Sequence, residues 1–246
     1  MNNIKLSKWF IVYAIALILN PLWFKLSSWI FMIIFFHESL HLLVAYLLGY
    51  KHQNIIIYPF GLCATIKDID YMNIYHELLI IIVGPLSHLL MNLVITLFYN
   101  YHVISFAFFD YLTMVNYSMM IFNSLPIYPL DGGRLLQILF QIFFTYQKAN
   151  LYVYYISMIL LVVFGLFLHK PMIYMIVVHL LLQNIAFKKQ LYYQTICFYE
   201  YRMKHPFKYP YVYHEHNDLY RGCMNVIKDE FGYRYENEWL KYKLNR

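Results

Sequence analysis

The stretch from Ser28 to Gly49 constrains this chain most. It is a long apolar run that holds one acidic residue, Glu38, and two histidines, His37 and His41. A helix of roughly 20 apolar residues crosses the hydrocarbon core of a bilayer. A polar cluster at that depth is costly and marks a functional site by default. On a helix His37 and His41 lie four residues apart and share a face. Two imidazoles so placed can grip one metal ion, with Glu38 beside them as a general base. The plainer alternative is that the three side chains only face a polar bundle interior. Inside a span that alternative is weak, because unpaired polar groups are expensive there.

Composition agrees with a membrane protein. Hydrophobic residues make up 61% of the chain and charged residues 13%, the latter about half the usual share of a soluble domain. The formal net charge of +6 is no nucleic-acid signal, since 11 of the 19 Lys and Arg follow residue 187 and the others mostly flank apolar runs. Cys63, Cys197 and Cys223 are widely spaced and suggest no disulfide framework. Lys5 and Lys8 precede an apolar run that reads as a retained first span rather than a cleaved leader.

Six segments have the length and apolarity of spans: 9–24, 28–49, 76–99, 104–125, 151–168 and 171–187. Residues 52–70, β-branched and broken by Pro59 and Gly61, read as a hairpin. The expected fold is thus an all-α membrane protein with six transmembrane helices, a small membrane-associated β-hairpin and a short cytoplasmic tail. Residues 1–187 form the membrane domain and residues 188–246 the tail, which carries 11 tyrosines and is too small for a core of its own. With six spans, Lys5, Lys8, Lys51, Lys67, Lys148, Lys188 and Lys189 fall on one side and only Lys25 and Lys170 on the other. That bias puts both termini in the cytoplasm of a bacterial cell.

A catalytic zinc usually takes three protein ligands and keeps one open position. The acids in or near the spans are Glu77, Asp110 and Asp131. Glu77 and Asp110 sit toward segment ends. Asp131 follows a break made by Pro126 and Pro129 and precedes Gly132 and Gly133, which are expected to release the backbone again. Broken backbone at membrane depth survives only where protein buries it or a wet cavity opens beside it. Asp131 therefore suits a third ligand, or else it caps the helix that follows.

The pairing of His37-Glu38-Ser39-Leu40-His41 with the Asn123–Gly133 motif, Asn-Ser-Leu-Pro-Ile-Tyr-Pro-Leu-Asp-Gly-Gly, resembles the site-2 protease family of intramembrane metalloproteases. Tyr58-Pro59-Phe60-Gly61 and Gly84-Pro85-Leu86-Ser87-His88 add to the likeness, which covers roughly residues 8–190 and is nearest to the family's sporulation branch. The resemblance implies Zn2+ bound by His37, His41 and Asp131, Glu38 as the catalytic acid–base, and Asn123 close to the substrate. It implies a membrane-associated regulatory protein as substrate, such as a sigma-factor precursor, and the lipid bilayer as the setting. Ser39-Leu40 departs from the Leu-Gly pair common in the family. His88 reads either as a support for the site or as a histidine bonded to a neighbouring helix. Two rivals remain open on these residues. A membrane metal transporter also places His and Asp at midplane, but it has no need of a base next to its ligands. A catalytically silent relative would bind substrates without cutting them.

Overall fold

The computed structural model describes residues 3–6, 21–50, 52–58, 61–66, 71, 73–167, 171–207, 210–215, 217–229 and 232–244. The helices are α1 (Pro21–Leu47), α2 (Ile74–Asn100), α3 (Phe106–Asn123), α4 (Asp131–Phe143), α5 (Tyr146–Phe167), α6 (Pro171–Lys204) and α7 (Glu236–Leu244). The strands are β1 (Asn3–Leu6), β2 (His52–Tyr58), β3 (Gly61–Ile66), β4 (Tyr211–His214), β5 (Met224–Asp229) and β6 (Gly232–Tyr235). The protein is thus mostly helical. Its chain divides into two compact units, residues 1–69 with 78–124 and residues 70–77 with 125–246.

Three of the described helices are long and apolar enough to cross a membrane: Leu26–Leu47, Ile74–Asn100 and Tyr146–Phe167. Leu86, Leu90, Leu93 and Leu97 of α2 stay exposed, as suits a helix meeting hydrocarbon rather than water. The segment 104–125 becomes the 18-residue α3, whose apolar character Asp110, Asn116 and Asn123 dilute. The expected span 9–24 lies largely outside the described residues. The loop expected around Lys25 is instead part of α1: Pro21 suits a helix's first turn, and nothing between it and Leu47 breaks the ladder.

In the first unit, Ile33, Met91, Ile95 and Leu112 form a buried core, with Trp29, Phe36 and Phe108 packed against it. The Trp29 and Phe108 rings meet edge to face at 5.7 Å. The expected hairpin is present as β2 and β3, antiparallel from Tyr58↔Gly61 outward. It gains a third strand: β1 pairs parallel with β2, Asn3 opposite Asn54. The sheet order is β1-β2-β3.

In the second unit, α3 gives way to a turn at residues 124–130, and α4 begins at Asp131. Tyr128 N–H donates to Ser157 Oγ at 2.9 Å, and Asn184 Nδ2 donates to Tyr128 O at 2.6 Å. Between α4 and α5, Gln137 and Gln141 both donate to Asn150 Oδ1, at 2.9 and 2.8 Å, and all three are buried.

The C-terminal region differs from the simple tail read in the sequence. Residues 188–204 continue α6 without a break. Beyond it, β4 pairs parallel with β5, β5 pairs antiparallel with β6, and α7 follows. The core here is shared rather than independent. Leu219, Ile227, Trp239 and Leu240 pack with Tyr146 of α5 and with Phe198 and Tyr199 of α6. Tyr146 stacks on Phe198 at 4.3 Å. Borrowing two helices gives so short a segment the apolar burial it could not reach alone. Arg202 fastens it further. Its Nε and Nη2 grip Glu236 at 2.6 and 2.7 Å, and its Nη1 and Nη2 donate to the carbonyls of Arg221 and Cys223. Asn225 N–H and Nδ2 donate to the same Glu236 carboxylate, at 3.0 and 2.8 Å.

Burial pushes the Cys223 thiol up to about 11, a rise that the nearby Arg202 opposes and Glu236 adds to. The thiolate is the reactive form, so almost none is present at neutral pH. Alkylation of Cys223 by iodoacetamide is expected to be slow in the folded protein and to climb as pH approaches 11. Mass spectrometry of the modified peptide checks this. Full labelling within minutes at pH 7 would contradict it.

Candidate metal centre

Ile33, His37, His41 and Ala45 recur every fourth residue on α1 and so lie along one face. That face meets α2, where backbone carbonyls near Pro85 receive the imidazoles. His37 Nδ1 donates to Gly84 O at 3.1 Å, with Ser87 Oγ also 3.2 Å from the same nitrogen. Ser87 Oγ in turn donates to Gly84 O at 2.5 Å. His41 Nδ1 donates to Ile80 O at 2.6 Å.

A carbonyl oxygen can only accept, so both histidines carry their proton on Nδ1. Nε2 is then the atom through which each ring could bind a metal ion. The two Nε2 atoms face each other at 3.2 Å, and the ring planes are nearly perpendicular. Two lone pairs so placed repel unless a cation lies between them. Two nitrogens each ~2.0–2.1 Å from a tetrahedral zinc are roughly 3.3 Å apart. The spacing therefore fits a shared metal ion. Fixing Nδ1 on an acceptor is also how metal-binding histidines are usually oriented. Glu38 follows His37 on the helix and is half-buried.

His88 lies beside His37 and is bonded to a neighbouring helix. Its ring centroid lies 4.9 Å from that of His37, and it is buried. It is also bonded to a neighbouring helix: Asn116 Oδ1 accepts from His88 Nδ1 at 2.8 Å, and Asn116 Nδ2 donates to His88 O at 2.8 Å. Asn123 is the last residue of α3 and is half-buried.

Asp131, in the second unit, is the first residue of α4. The N-cap is Leu130, which makes no side-chain cap bond. The helix thus starts one residue earlier than a cap at Asp131 would place it. The two glycines after it also differ from expectation, since both lie inside α4. At Gly133 an added Cβ would sit 2.3 Å from Ile127 C and 2.4 Å from Tyr128 N, so only glycine lets the turn close onto the helix. Glu77, weighed as a ligand from its sequence position, is committed elsewhere. It is buried, pairs with Arg221 Nη1 at 2.6 Å and accepts from Arg134 Nη2 at 3.2 Å. Asp110 is exposed.

The residues that sequence reasoning missed are those whose groups accept from the histidines. Gly84 and Ile80 act through backbone, which no residue letter reveals. Ser87 was visible only as part of Gly-Pro-Leu-Ser-His.

Comparison with known proteins bears on this arrangement. Residues 100–164 match Peptidase family M50. The chain is 31% identical over 119 residues to Stage IV sporulation protein FB of Bacillus subtilis, an alignment covering 48% of this chain and 41% of that protein. It is 27% identical over 144 residues to a zinc metalloprotease of Methanocaldococcus jannaschii, covering 57% of this chain and 42% of the relative. The matches span about two fifths of the length of these curated relatives. The solved site-2 protease of Methanocaldococcus jannaschii has the same fold, with a TM-score of 0.57 at 24% identity over 75% of this chain and 90% of that one. The M50 match and the shared fold bear out the likeness drawn from the motifs.

Proposed function

We propose that this chain is an intramembrane zinc metalloprotease that hydrolyses a peptide bond in or next to a membrane segment of a regulatory protein. The observation that carries this reading is the His37–His41 pair, with both Nδ1 atoms tied to carbonyls and both Nε2 atoms converging at 3.2 Å. Asp131 is the proposed third ligand; two imidazoles and a carboxylate are a set that can hold a metal ion. Three ligands leave the fourth position open, as catalytic rather than structural zinc requires.

A bound zinc would lower the pKa of its water toward ~7 and polarise the scissile carbonyl. The remaining chemistry falls to the chain. A Glu38 carboxylate oxygen takes the water's proton and delivers it to the departing amine nitrogen. Asn123 hydrogen-bonds an extended substrate segment. Strand β3, at one edge of its sheet, offers backbone groups to that segment by strand addition.

The likeness to Stage IV sporulation protein FB supports a membrane-associated substrate of a sporulation pathway, such as a sigma-factor precursor. In this reading the chain sits in a bacterial cytoplasmic membrane on six spans with both termini cytoplasmic, as the lysine distribution favours. Residues 1–187 form the membrane domain, residues 188–246 the cytoplasmic part, and nucleic acid is no partner.

The test is metal analysis of the purified protein. One zinc per chain is expected, with a marked loss in Asp131→Ala. Full occupancy in that variant would move the third ligand elsewhere. A metal-free wild type reconstituted with zinc that gains none would remove the metalloprotease reading altogether.

A further inference from the structure

The second unit contains a chain of buried charges that the proposed chemistry does not use. Glu77 is buried in the first turn of α2. Its two carboxylate oxygens serve two different partners. Oε2 pairs with Arg221, itself 2% exposed, at 2.6 Å. Oε1 pairs with Arg134 at 3.2 Å. Arg134 stands three residues after Asp131, so both belong to the first turn of α4. Arg221 is fixed from behind. Arg202 Nη1 takes its carbonyl at 3.1 Å, and its own Nη1 donates to Gln141 Oε1 of α4 at 2.6 Å.

A carboxylate is expensive to bury and is retained where its charge is matched. Here one carboxylate joins two cations from segments far apart in the sequence. One cation belongs to the C-terminal module and the other to the helix turn that carries Asp131. Gly133 presses that same turn onto the Ile127–Tyr128 backbone, so the turn is held from both sides.

We propose that Glu77 and Arg134 are positioning residues: the Arg221–Glu77–Arg134 bridge uses the folded C-terminal module to hold the first turn of α4, and with it the Asp131 carboxylate, in its metal-binding orientation. This rests on Asp131 being a ligand. It adds that the C-terminal module is part of the site's scaffold. Without the bridge, the turn keeps its sequence and its helix but gains freedom at the carboxylate.

Arg134→Met is the decisive variant, because it unties α4 while leaving the Glu77–Arg221 pair and the module intact. The probe is Co2+ titrated into metal-free full-length protein in detergent, read by its visible d–d absorption. That spectrum reports ligand geometry directly and needs no substrate. We expect Arg134→Met to bind Co2+ roughly tenfold more weakly, with altered band intensity. Arg134→Lys, which keeps the charge, should recover most of both. Glu77→Met/Arg221→Met, which removes the buried pair together, should match Arg134→Met. Trypsin resistance of residues 205–246 shows whether the module stays folded in each variant. Wild-type affinity and spectrum in Arg134→Met would overturn the proposal, whatever the double variant does. If the wild type itself gives no Co2+ spectrum, the metal reading has failed; if the wild type binds and Arg134→Met binds equally, only the bridge has failed.

Discussion

Glu38→Gln is expected to remove the proposed cleavage while leaving the proposed zinc bound. The amide has nearly the shape of the carboxylate but cannot accept the water's proton. A positioned acid–base contributes ~10²–10⁴-fold in rate, so the loss should reach at least the lower figure. The measurement is cleavage of a membrane-anchored substrate co-expressed with wild type or variant, followed on gels, beside metal analysis of the same preparations. Undiminished cleavage would end the protease assignment. Loss of zinc along with cleavage would make Glu38 a ligand rather than a base. The same experiment separates the rivals left open by the sequence, since neither a transporter nor a silent relative needs Glu38 as an acid–base.

The second large effect lies far from that chemistry. Arg202 and Glu236 are 1% and 2% exposed and meet through two bonds of 2.6 and 2.7 Å. Breaking a buried pair by removing one partner costs about 3–5 kcal/mol, because the other charge is left stranded. Arg202→Met is thus expected to release the C-terminal module. Glu236 would lose its cation, and the carbonyls of Arg221 and Cys223 would lose their donors. Limited proteolysis of detergent-solubilised protein should show residues 205–246 becoming trypsin-sensitive. The double change Arg202→Met/Glu236→Leu should regain much of the resistance, since apolar replacement of both partners is often neutral. A single variant as resistant as wild type would show that shared apolar packing alone holds the module.

The legible part of this protein was the part governed by short-range rules. His37 and His41 stand four apart, and helix geometry puts them on one face whatever surrounds them. Apolar length gave α2 and α5, and Pro59 with Gly61 gave the β2–β3 hairpin. What escaped depends on contacts between segments distant in sequence. Strand β1 has only four residues and becomes a strand by pairing with β2, a partner some fifty residues on. The C-terminal module draws its core from Tyr146 and Phe198, which no reading of residues 205–246 alone could supply. Glu77 looked like an acid toward a segment end, at the membrane interface. It is buried because two arginines, 57 and 144 residues away in the chain, come to it. Gly133 was read as freeing the backbone, whereas its lack of a Cβ makes room for another stretch of backbone.

The imidazoles of His37 and His41 lean on carbonyls rather than on side-chain carboxylates. A carbonyl belongs to every amino acid alike. Position 80 can exchange one apolar residue for another and still offer His41 the same oxygen. That oxygen does not titrate, so acid that would protonate a carboxylate support leaves this one in place. The orientation of these two rings therefore does not depend on a supporting carboxylate, and at His41 it does not depend on which side chain stands at position 80. It answers instead to the path of α2, the helix that carries both carbonyls.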